Sequence, residues 1–352
     1  MERPLGTVVL FGSGEISSHA QPVYARIMAR LEPPVQVGIL ETPAGFQLNS
    51  ANVAEEIAVY LHHHLQNFHP QTHIIPARKR GTPYSPDNAE ILDPLYTSNM
   101  LFFGPGSPTY AVAQLKGSLA WEIVQARHRL GAALVAASAA TIAMSAYALP
   151  VYEIYKVGED VHWKPGLGFC AAYGLSLTLV PHWNNNDGGD KHDTSRCFMG
   201  KPRFAELLAL LPAETVVVGI DELTALIIEP EEGRCRVMGM GGVTVLAVTT
   251  RRETRFESGS TFAMSELGPC HSPNAREGIS DSVWTRSLAA EEARQRAPEP
   301  PDEVVRLAQE RATARAQRDW AASDSLRERI EALGWQVRDT PEGWELVPAS
   351  DN

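Results

Sequence analysis

A serine and a histidine occupy positions at which an α/β fold presents side chains for chemistry. Ser138 lies between the strand-like Ala-Leu-Val-Ala and a helix-forming run, with the small residues Ala136 and Ala140 two positions away on either side. A sharp strand-to-helix turn that exposes a nucleophile needs small flanking residues, because larger side chains would collide there. His182 follows the predicted strand over residues 175–180 through one proline, a placement that suits a general base. Such a pair would perform acyl transfer through a serine nucleophile.

A glycine-rich turn, Gly104-Pro105-Gly106-Ser107, lies upstream of the serine. It follows the hydrophobic run 101–103 and opens a predicted helix, so its backbone amides would stand at a helix N-terminus. Amides in that place can hold the oxyanion that develops when a nucleophile attacks a carbonyl group. Pro105 removes one amide from the turn and restricts the residue before it.

Residues 131–150 contain no charged side chain, and their length would suffice to cross a bilayer. Alanine contributes little to membrane transfer, and Ser138, Thr141 and Ser145 weaken the stretch further. We interpret it as a buried strand, a tight turn and a helix over 141–148. Taken alone, the stretch fits a serine packed in an alanine-rich core better than an active serine. Because alanine resists positive φ, the alanines that flank the turn favour a relaxed backbone.

The elements that would position these residues alternate along the first 265 residues, where short β-branched runs follow amphipathic stretches. This order predicts an α/β domain with a largely parallel sheet flanked by helices. Strands are predicted at residues 7–11, 35–40, 73–76, 99–103, 133–137, 175–180, 216–220, 223–228 and 243–248. Helices are predicted at residues 21–31, 52–65, 110–115 and 119–130. Tight polar turns between the last strands indicate hairpins at one edge.

Two other strand ends carry polar residues. Gly12-Ser13-Gly14-Glu15 lacks the third glycine of a dinucleotide-binding fingerprint, and we interpret it as a tight turn that borders the active-site cleft. Glu41 begins a turn at the end of the second predicted strand, where α/β clefts bind ligands.

His62, His63 and His64 would point in different directions on a helix, so neither a metal site nor a cofactor is predicted.

Composition limits the class of protein. The chain has 352 residues and a net charge of −11, which argues against general affinity for nucleic acid or anionic membranes. Four cysteines lie far apart without a C-x-x-C pair, and the N-terminus does not resemble a secretion signal. A cytoplasmic location is therefore expected.

The chain divides into three predicted segments. Residues 1–265 form the α/β domain, and residues 266–302, rich in Ser, Pro, Gly and charges, read as a linker. Residues 303–352 predict two helices, over 303–317 and 320–333, followed by two strands around the turn Pro341-Glu342-Gly343.

The order of several short motifs resembles the cyanophycinase and aspartyl dipeptidase (dipeptidase E) family of serine peptidases. The resembling pieces lie between residues 7 and 250, and they are Gly104-Pro105-Gly106-Ser107, Ser138-Ala139-Ala140-Thr141, Gly166-Leu167-Gly168-Phe169, Pro181-His182-Trp183 and the run from Gly219 to Leu226. The resemblance implies a flavodoxin-like fold akin to class I glutamine amidotransferases. It implies Ser138 as nucleophile, His182 as general base, and the amides of Gly106 and Ala139 as the oxyanion hole.

The resemblance leaves the acid that orients the histidine open. Glu153 fits best when counted from the Gly-Leu-Gly landmark, Glu159 and Asp160 remain candidates, and Glu222 comes last. The family cleaves small peptides or isopeptides that carry an aspartyl group. Arg196, fourteen residues beyond the histidine, is therefore expected to bind the substrate carboxylate, with Arg203 assisting. An exposed helix arginine would explain Arg196 equally well.

Residues 303–348 resemble the C-terminal segment of cysteinyl-tRNA synthetases. The similarity includes the run from Glu310 to Arg315, the run from Asp319 to Arg327, and Gly334. The chain lacks the synthetase signature motifs, so synthetase activity is not expected. The 303–352 segment has seven arginines and ten acidic residues, and this excess of acidic residues disfavours binding to the phosphates of a nucleic acid. Binding of tRNA and formation of a homodimer both remain candidate roles of the segment. The leading hypothesis is a serine peptidase, and the alternative is an inactive binding protein linked to translation.

Overall fold

The computed structural model describes residues 4–295, 300–340 and 343–348, and these residues contain sixteen strands and ten α-helices. The chain divides into two units, Met1–Glu291 and Glu292–Asn352.

The strands of the main unit are β1 (Val8–Phe11), β2 (Gln36–Leu40), β3 (Gln71–Ile75), β4 (Met100–Phe103), β5 (Ala133–Ala137), β6 (Tyr147–Ala148), β7 (Lys164–Pro165), β8 (Leu177–Val180), β9 (Val216–Ile220), β10 (Thr224–Glu229), β11 (Arg234–Gly239), β12 (Gly242–Ala247), β13 (Glu253–Glu257) and β14 (Thr261–Ala263). Its helices are α1 (Gln21–Met28), α2 (Ser50–His64), α3 (Ala89–Thr97), α4 (Pro108–Leu115), α5 (Leu119–Arg129), α6 (Ala139–Ala143), α7 (Gly200–Ala209) and α8 (Asp281–Gln295).

The central sheet has eight strands in the order β14-β11-β10-β1-β5-β4-β2-β3. In the part of the sheet ordered β1-β5-β4-β2-β3, all neighbouring strands are parallel. Strands β10, β11 and β14 extend the sheet beyond β1 as antiparallel strands. The predicted α/β fold with a largely parallel sheet is confirmed. Beside it, β13-β12-β9-β8 form a second sheet in which β8 and β9 are parallel.

Continuous apolar runs form the central strands because both faces of the sheet are covered. In β1, Val8 and Leu10 enter one buried cluster, while Val9 and Phe11 enter another on the opposite face. The same alternation continues in β4 and β5. Burial on both faces fixes the register of these strands, since a shift by one residue would exchange the two sets of side chains.

The alanine-rich run belongs to the centre of this sheet. It contributes β5, whose five residues are all buried, and then the single-turn helix α6. The predicted helix over 141–148 is wrong in length, because α6 ends at Ala143 and Tyr147–Ala148 form β6 instead. Among the described residues, helices that are both long and apolar enough to cross a membrane are absent.

Much of the segment predicted to be a linker is instead part of the main unit. Helix α8 packs Val283 and Trp284 into the largest buried cluster. Arg127 of α5 and Glu291 of α8, both almost fully buried, form an ion pair of 2.6 Å. The main unit thus extends to residue 291 instead of 265. Part of the proline-rich end, residues 297–299, lies outside the described residues.

The C-terminal unit has the predicted order of two helices and a hairpin. It contains α9 (Asp302–Ala316), α10 (Trp320–Ala332), β15 (Trp335–Thr340) and β16 (Gly343–Pro348), with the two strands antiparallel. Its small core is built from Val304, Leu307, Ala308, Ile330, Trp335 and Val337. Asp319 caps α10 by accepting a hydrogen bond from the Ala322 amide at 3.1 Å. Pro341 and Glu342 of the predicted turn lie outside the described residues.

Candidate active site

Ser138 occupies the strand-to-helix turn between β5 and α6 with φ 51° and ψ −109°, a conformation that non-glycine residues rarely adopt. The expected relaxation by the flanking alanines does not occur. The Ser138 amide donates to the Phe11 carbonyl at 3.2 Å, and the Thr141 hydroxyl bridges the carbonyls of Phe11 and Ala136 at 2.9 and 3.0 Å. These bonds hold the turn between two strands of the central sheet, so the strained serine is supported by buried structure.

His182 follows β8 and faces the serine. Its Nε2 lies 2.9 Å from the Ser138 Oγ, which is hydrogen-bonding distance. His182 also has a positive φ of 50°, and its carbonyl accepts hydrogen bonds from the amides of Asn185 and Cys197, both at 3.1 Å. The Phe198 ring centre lies 5.9 Å from the imidazole centre. The imidazole is therefore fixed by its backbone and by an aromatic neighbour.

Glu222 completes a hydrogen-bonded chain. Its Oε1 lies 2.9 Å from Nδ1 of His182 and accepts a further bond from the Asn185 amide group at 2.9 Å. The bond to His182 lowers the pKa of Glu222, and the bond to Asn185 adds to this effect. An ionised carboxylate at Nδ1 fixes the tautomer that leaves Nε2 free to accept the serine proton.

Strand pairing explains why Glu222, placed last among the candidates, is the acid that meets the histidine. Residues Val180 of β8 and Gly219 of β9 are partners in the parallel pair, so the residues just beyond both strands are neighbours. Glu153, which the resemblance favoured, does not reach His182. Its carboxylate instead contacts the Lys164 ammonium at 3.2 Å.

The other candidate acids also lie away from the imidazole. Glu159 forms an ion pair of 3.6 Å with His162, and Asp160 contacts the same histidine through its carbonyl oxygen. The sequence places Glu222 just beyond a predicted strand, but it does not show that this strand pairs with the one that precedes His182.

The predicted oxyanion turn lies at the end of β4, which pairs with the strand that leads into the Ser138 turn. A Cβ at Gly106 would meet the Pro43 carbonyl oxygen at 1.9 Å, so only glycine fits. The Ser107 amide donates to that carbonyl at 2.9 Å, and the Tyr152 hydroxyl donates to the Gly106 carbonyl at 3.1 Å. Among the hydrogen bonds of the described residues, those that use the amide of Gly106 or Ala139 are absent. In the part of the chain that the structure describes, neither amide therefore has a hydrogen-bond acceptor.

The two arginines expected to bind substrate have different surroundings. The Arg196 guanidinium stacks on the Trp183 ring at 3.7 Å and donates to the Trp183 carbonyl at 3.1 Å. Burial lowers the pKa of Arg196. Arg203 is exposed on α7, and the contacts recorded for the described residues do not join it to Ser138 or His182. Among the contacts of the described residues, neither guanidinium group reaches the Ser138 side chain.

Glu15, which follows β1, is a further carboxyl group at the site. Only 9% of it is exposed, and burial raises its pKa while the nearby His182 lowers it. The sequence predicts the turn beside the cleft but not the burial of this side chain. Within the described residues, groups of three or more His, Cys, Asp or Glu side chains that could hold a metal ion are absent.

Comparison with solved structures shows that this fold is shared with a peptidase. The crystal structure of a peptidase from an acI-B1 Actinobacterium superposes with a TM-score of 0.58 at 18% identity, over 75% of this chain and 98% of that one. A peptidase E protein of Listeria monocytogenes covers 67% of this chain at 13% identity, with a TM-score of 0.46. The first similarity shows the fold of the main unit.

The C-terminal unit has a different relationship. Residues 297–344 match the family model of the cysteinyl-tRNA ligase anticodon binding domain. Cysteine–tRNA ligase 1 of Burkholderia lata is 54% identical over 46 residues, which are 13% of this chain and 10% of that protein. The Methanosarcina mazei ligase is 51% identical over 54 residues, 15% of this chain and 11% of its own length. The chain thus spans about a tenth of the curated relatives that it matches.

Proposed function

We propose that the main unit is a serine hydrolase that cleaves small peptides or isopeptides through an acyl-enzyme. The observation that carries this proposal is the hydrogen-bonded chain from Ser138 through His182 to Glu222, with both distances at 2.9 Å. A serine next to a histidine that is in turn held by a carboxylate is the arrangement that activates a hydroxyl group for attack. The peptidase fold supports the same reaction class.

In the proposed first step, the Ser138 Oγ attacks the substrate carbonyl carbon while its proton passes to Nε2 of His182. Glu222 stabilises the imidazolium that forms, and the amides of Gly106 and Ala139 hold the oxyanion. The imidazolium then protonates the leaving amine, and the C–N bond breaks to give the acyl-enzyme. Water, deprotonated by His182, hydrolyses the ester and restores the serine.

We propose further that the substrate carries an acidic group, because the family that the chain resembles recognises an aspartyl group. Arg196 would have to leave its position on Trp183, or bind through its exposed edge, to serve as the carboxylate site. A cytoplasmic location fits the four cysteines, all of which are free.

A direct test combines labelling with turnover. A fluorophosphonate reagent should add one adduct to the chain, and peptide mass mapping should locate it at Ser138. The wild-type protein should cleave members of a panel of Asp-X dipeptides and β-Asp-Arg, and Ser138→Ala should cleave none. Absence of both the adduct and turnover, or equal turnover by the two proteins, would refute the proposal.

A second function is proposed for the C-terminal unit, which we infer contacts tRNA. The match to an anticodon binding domain supports it. Trp320 at the start of α10 is 57% exposed, and the Arg315 guanidinium lies 5.6 Å from its ring centre. An exposed indole beside a guanidinium is a surface on which an unpaired base can stack. Because acidic residues outnumber arginines here, stacking would contribute more than contacts to phosphate.

A further inference from the structure

The β1–α1 loop holds one carboxyl group that the proposed reaction does not use. Glu15 is 9% exposed, and its pKa is raised mainly by burial, while its own amide and the charge of His182 lower it. Among the described residues, its carboxyl group makes neither an ion pair nor a hydrogen bond with another side chain. A buried carboxylate without a cationic partner is costly, because water no longer solvates its charge and one amide replaces only part of that solvation.

The loop that carries Glu15 is firmly held. The Tyr24 hydroxyl donates to the Glu15 carbonyl at 2.8 Å, and the Ser17 hydroxyl donates to the Gly14 carbonyl at 2.6 Å. Ser13 accepts a hydrogen bond from the Leu223 amide at 3.1 Å, which ties the loop to the residue that follows Glu222. The burial of Glu15 is therefore built into the fold and is not a feature of a loose surface segment.

Other charged groups near the site already have partners. The Arg196 guanidinium stacks on Trp183, the Lys164 ammonium contacts Glu153, and the Glu222 carboxylate contacts His182. Glu15 differs, because among the described residues its carboxyl group has only its own backbone amide as a partner. Since a folded protein rarely keeps a buried charge without a counter-charge unless it has a use for it, the missing cation points to a ligand.

We propose that Glu15 is a specificity residue that binds a cationic nitrogen of the substrate, either an α-ammonium group or the guanidinium of a side chain. This inference rests on the proposed peptidase function and makes it more specific. A cation that enters the site would pair with the carboxylate and remove the cost of its burial. The two nitrogen sources share this chemistry, and matched pairs of peptides separate them.

Binding is measured with Ser138→Ala, which prevents turnover, and with the double variant Ser138→Ala/Glu15→Gln. One pair of ligands is Asp-Leu and N-acetyl-Asp-Leu, which differ in the α-ammonium group. The other is β-Asp-Arg and β-Asp-citrulline, which differ in the guanidinium. We expect the single variant to bind the cationic member of one pair about tenfold more tightly, and Glu15→Gln to abolish that preference. The pair that responds identifies the nitrogen.

Glutamine keeps the shape of the side chain, so its effect reports charge. Equal affinities within both pairs, an unchanged preference in the double variant, or failure to bind any of the four peptides would overturn the inference. If Glu15→Gln in the otherwise wild-type protein lowers kcat equally for charged and neutral peptides and shifts the pH profile, Glu15 instead acts on His182, which also overturns it. Turnover without a charge preference refutes only this inference. A charge preference without turnover refutes only the hydrolase.

Thermal unfolding gives an independent readout. Because the folded-state pKa of Glu15 is raised, the ionised carboxyl group destabilises the fold at neutral pH and ceases to do so below about pH 4.5. Glu15→Gln should therefore raise Tm at pH 7.5, and the gain should shrink as the pH falls toward 4.5. Glu229 is the matched control, since it is 2% exposed but pairs with Arg26, Arg30 and Arg234. Glu229→Gln should lower Tm. A lower Tm for Glu15→Gln would contradict the unpaired state of Glu15.

Discussion

Backbone strain is distributed very differently in the two units of this chain. Six of the nine described non-glycine residues with positive φ lie around the candidate site of the main unit. They are Ser138, His182, Arg196, Cys197, Phe198 and Leu223. In the described part of the C-terminal unit, Arg318 alone among non-glycine residues has a positive φ, and it lies in the exposed turn between α9 and α10.

The difference is consistent with the two functions that we propose. In the proposed hydrolase site, a nucleophile, a base and an acid from three separate strand ends must meet within hydrogen-bonding distance. Strained turns, each costing about 1–3 kcal/mol, are tolerated there because the surrounding sheets over-determine them. The proposed contact with tRNA needs exposed aromatic area instead, and a regular helix provides it without strain.

Removal of the serine hydroxyl should have the largest effect. Ser138→Ala is expected to lower kcat for a cleavable peptide by about 10⁴-fold or more, because the covalent step is lost. Trp320→Ala, in the other unit, should leave kcat within about twofold if the chemistry resides only in the main unit. Steady-state kinetics with both variants checks this. A comparable loss in Trp320→Ala would show that the units cooperate in catalysis.

Removal of the acid charge should have the next largest effect. Glu222→Gln is expected to lower kcat by about 10³- to 10⁴-fold, since an amide next to Nδ1 no longer stabilises the imidazolium and can select the wrong tautomer. Glu153→Gln is the matched control and should cost less than about tenfold, because Glu153 contacts Lys164 and not the imidazole. The reverse order of these two losses would restore Glu153 as the acid.

These two glutamates also show what a sequence can predict. Ser138 and His182 follow apolar runs that predict buried strands, so their place at strand ends is visible in the sequence. The Glu222 contact depends on the parallel pairing of β8 with β9 in a second sheet, and local patterns do not specify which strands pair. The strain at Ser138 also escapes prediction, because it is imposed by bonds to Phe11, far away along the chain.

The boundary between the two units also depends on contacts that the sequence does not show. The polar composition of residues 266–302 predicts a linker, yet α8 within it buries Val283, Trp284 and the Arg127–Glu291 pair. In a sequence, a charged side chain predicts an exposed position. Its burial becomes acceptable only through a partner of opposite charge, which the folded chain brings close. The C-terminal unit could be predicted more fully, because its two helices and hairpin are joined by short turns with local signals.

A smaller effect is expected for tRNA binding. Trp320→Ala should weaken the binding of a tRNA transcript about tenfold, because one base loses its stacking partner. Leu333→Ala is the matched control, since Leu333 is also exposed in the C-terminal unit but offers no aromatic face. Fluorescence anisotropy at two salt concentrations checks both the loss and a shallow salt dependence, which the excess of acidic residues predicts. Equal weakening by both variants would indicate a structural effect.

The smallest effect concerns strain itself. Arg318→Gly should raise the free energy of unfolding of the C-terminal unit by about 0.5–1 kcal/mol, because glycine adopts positive φ without a steric penalty and this exposed side chain loses little. Leu223→Gly should also relax the local backbone, but it should lower kcat by about tenfold, because the turn that carries Glu222 then loses its fixed position. Denaturant unfolding and steady-state kinetics measure the two quantities in both variants. If Leu223→Gly kept full activity, the strain around Ser138 and His182 would have no more catalytic meaning than that at Arg318.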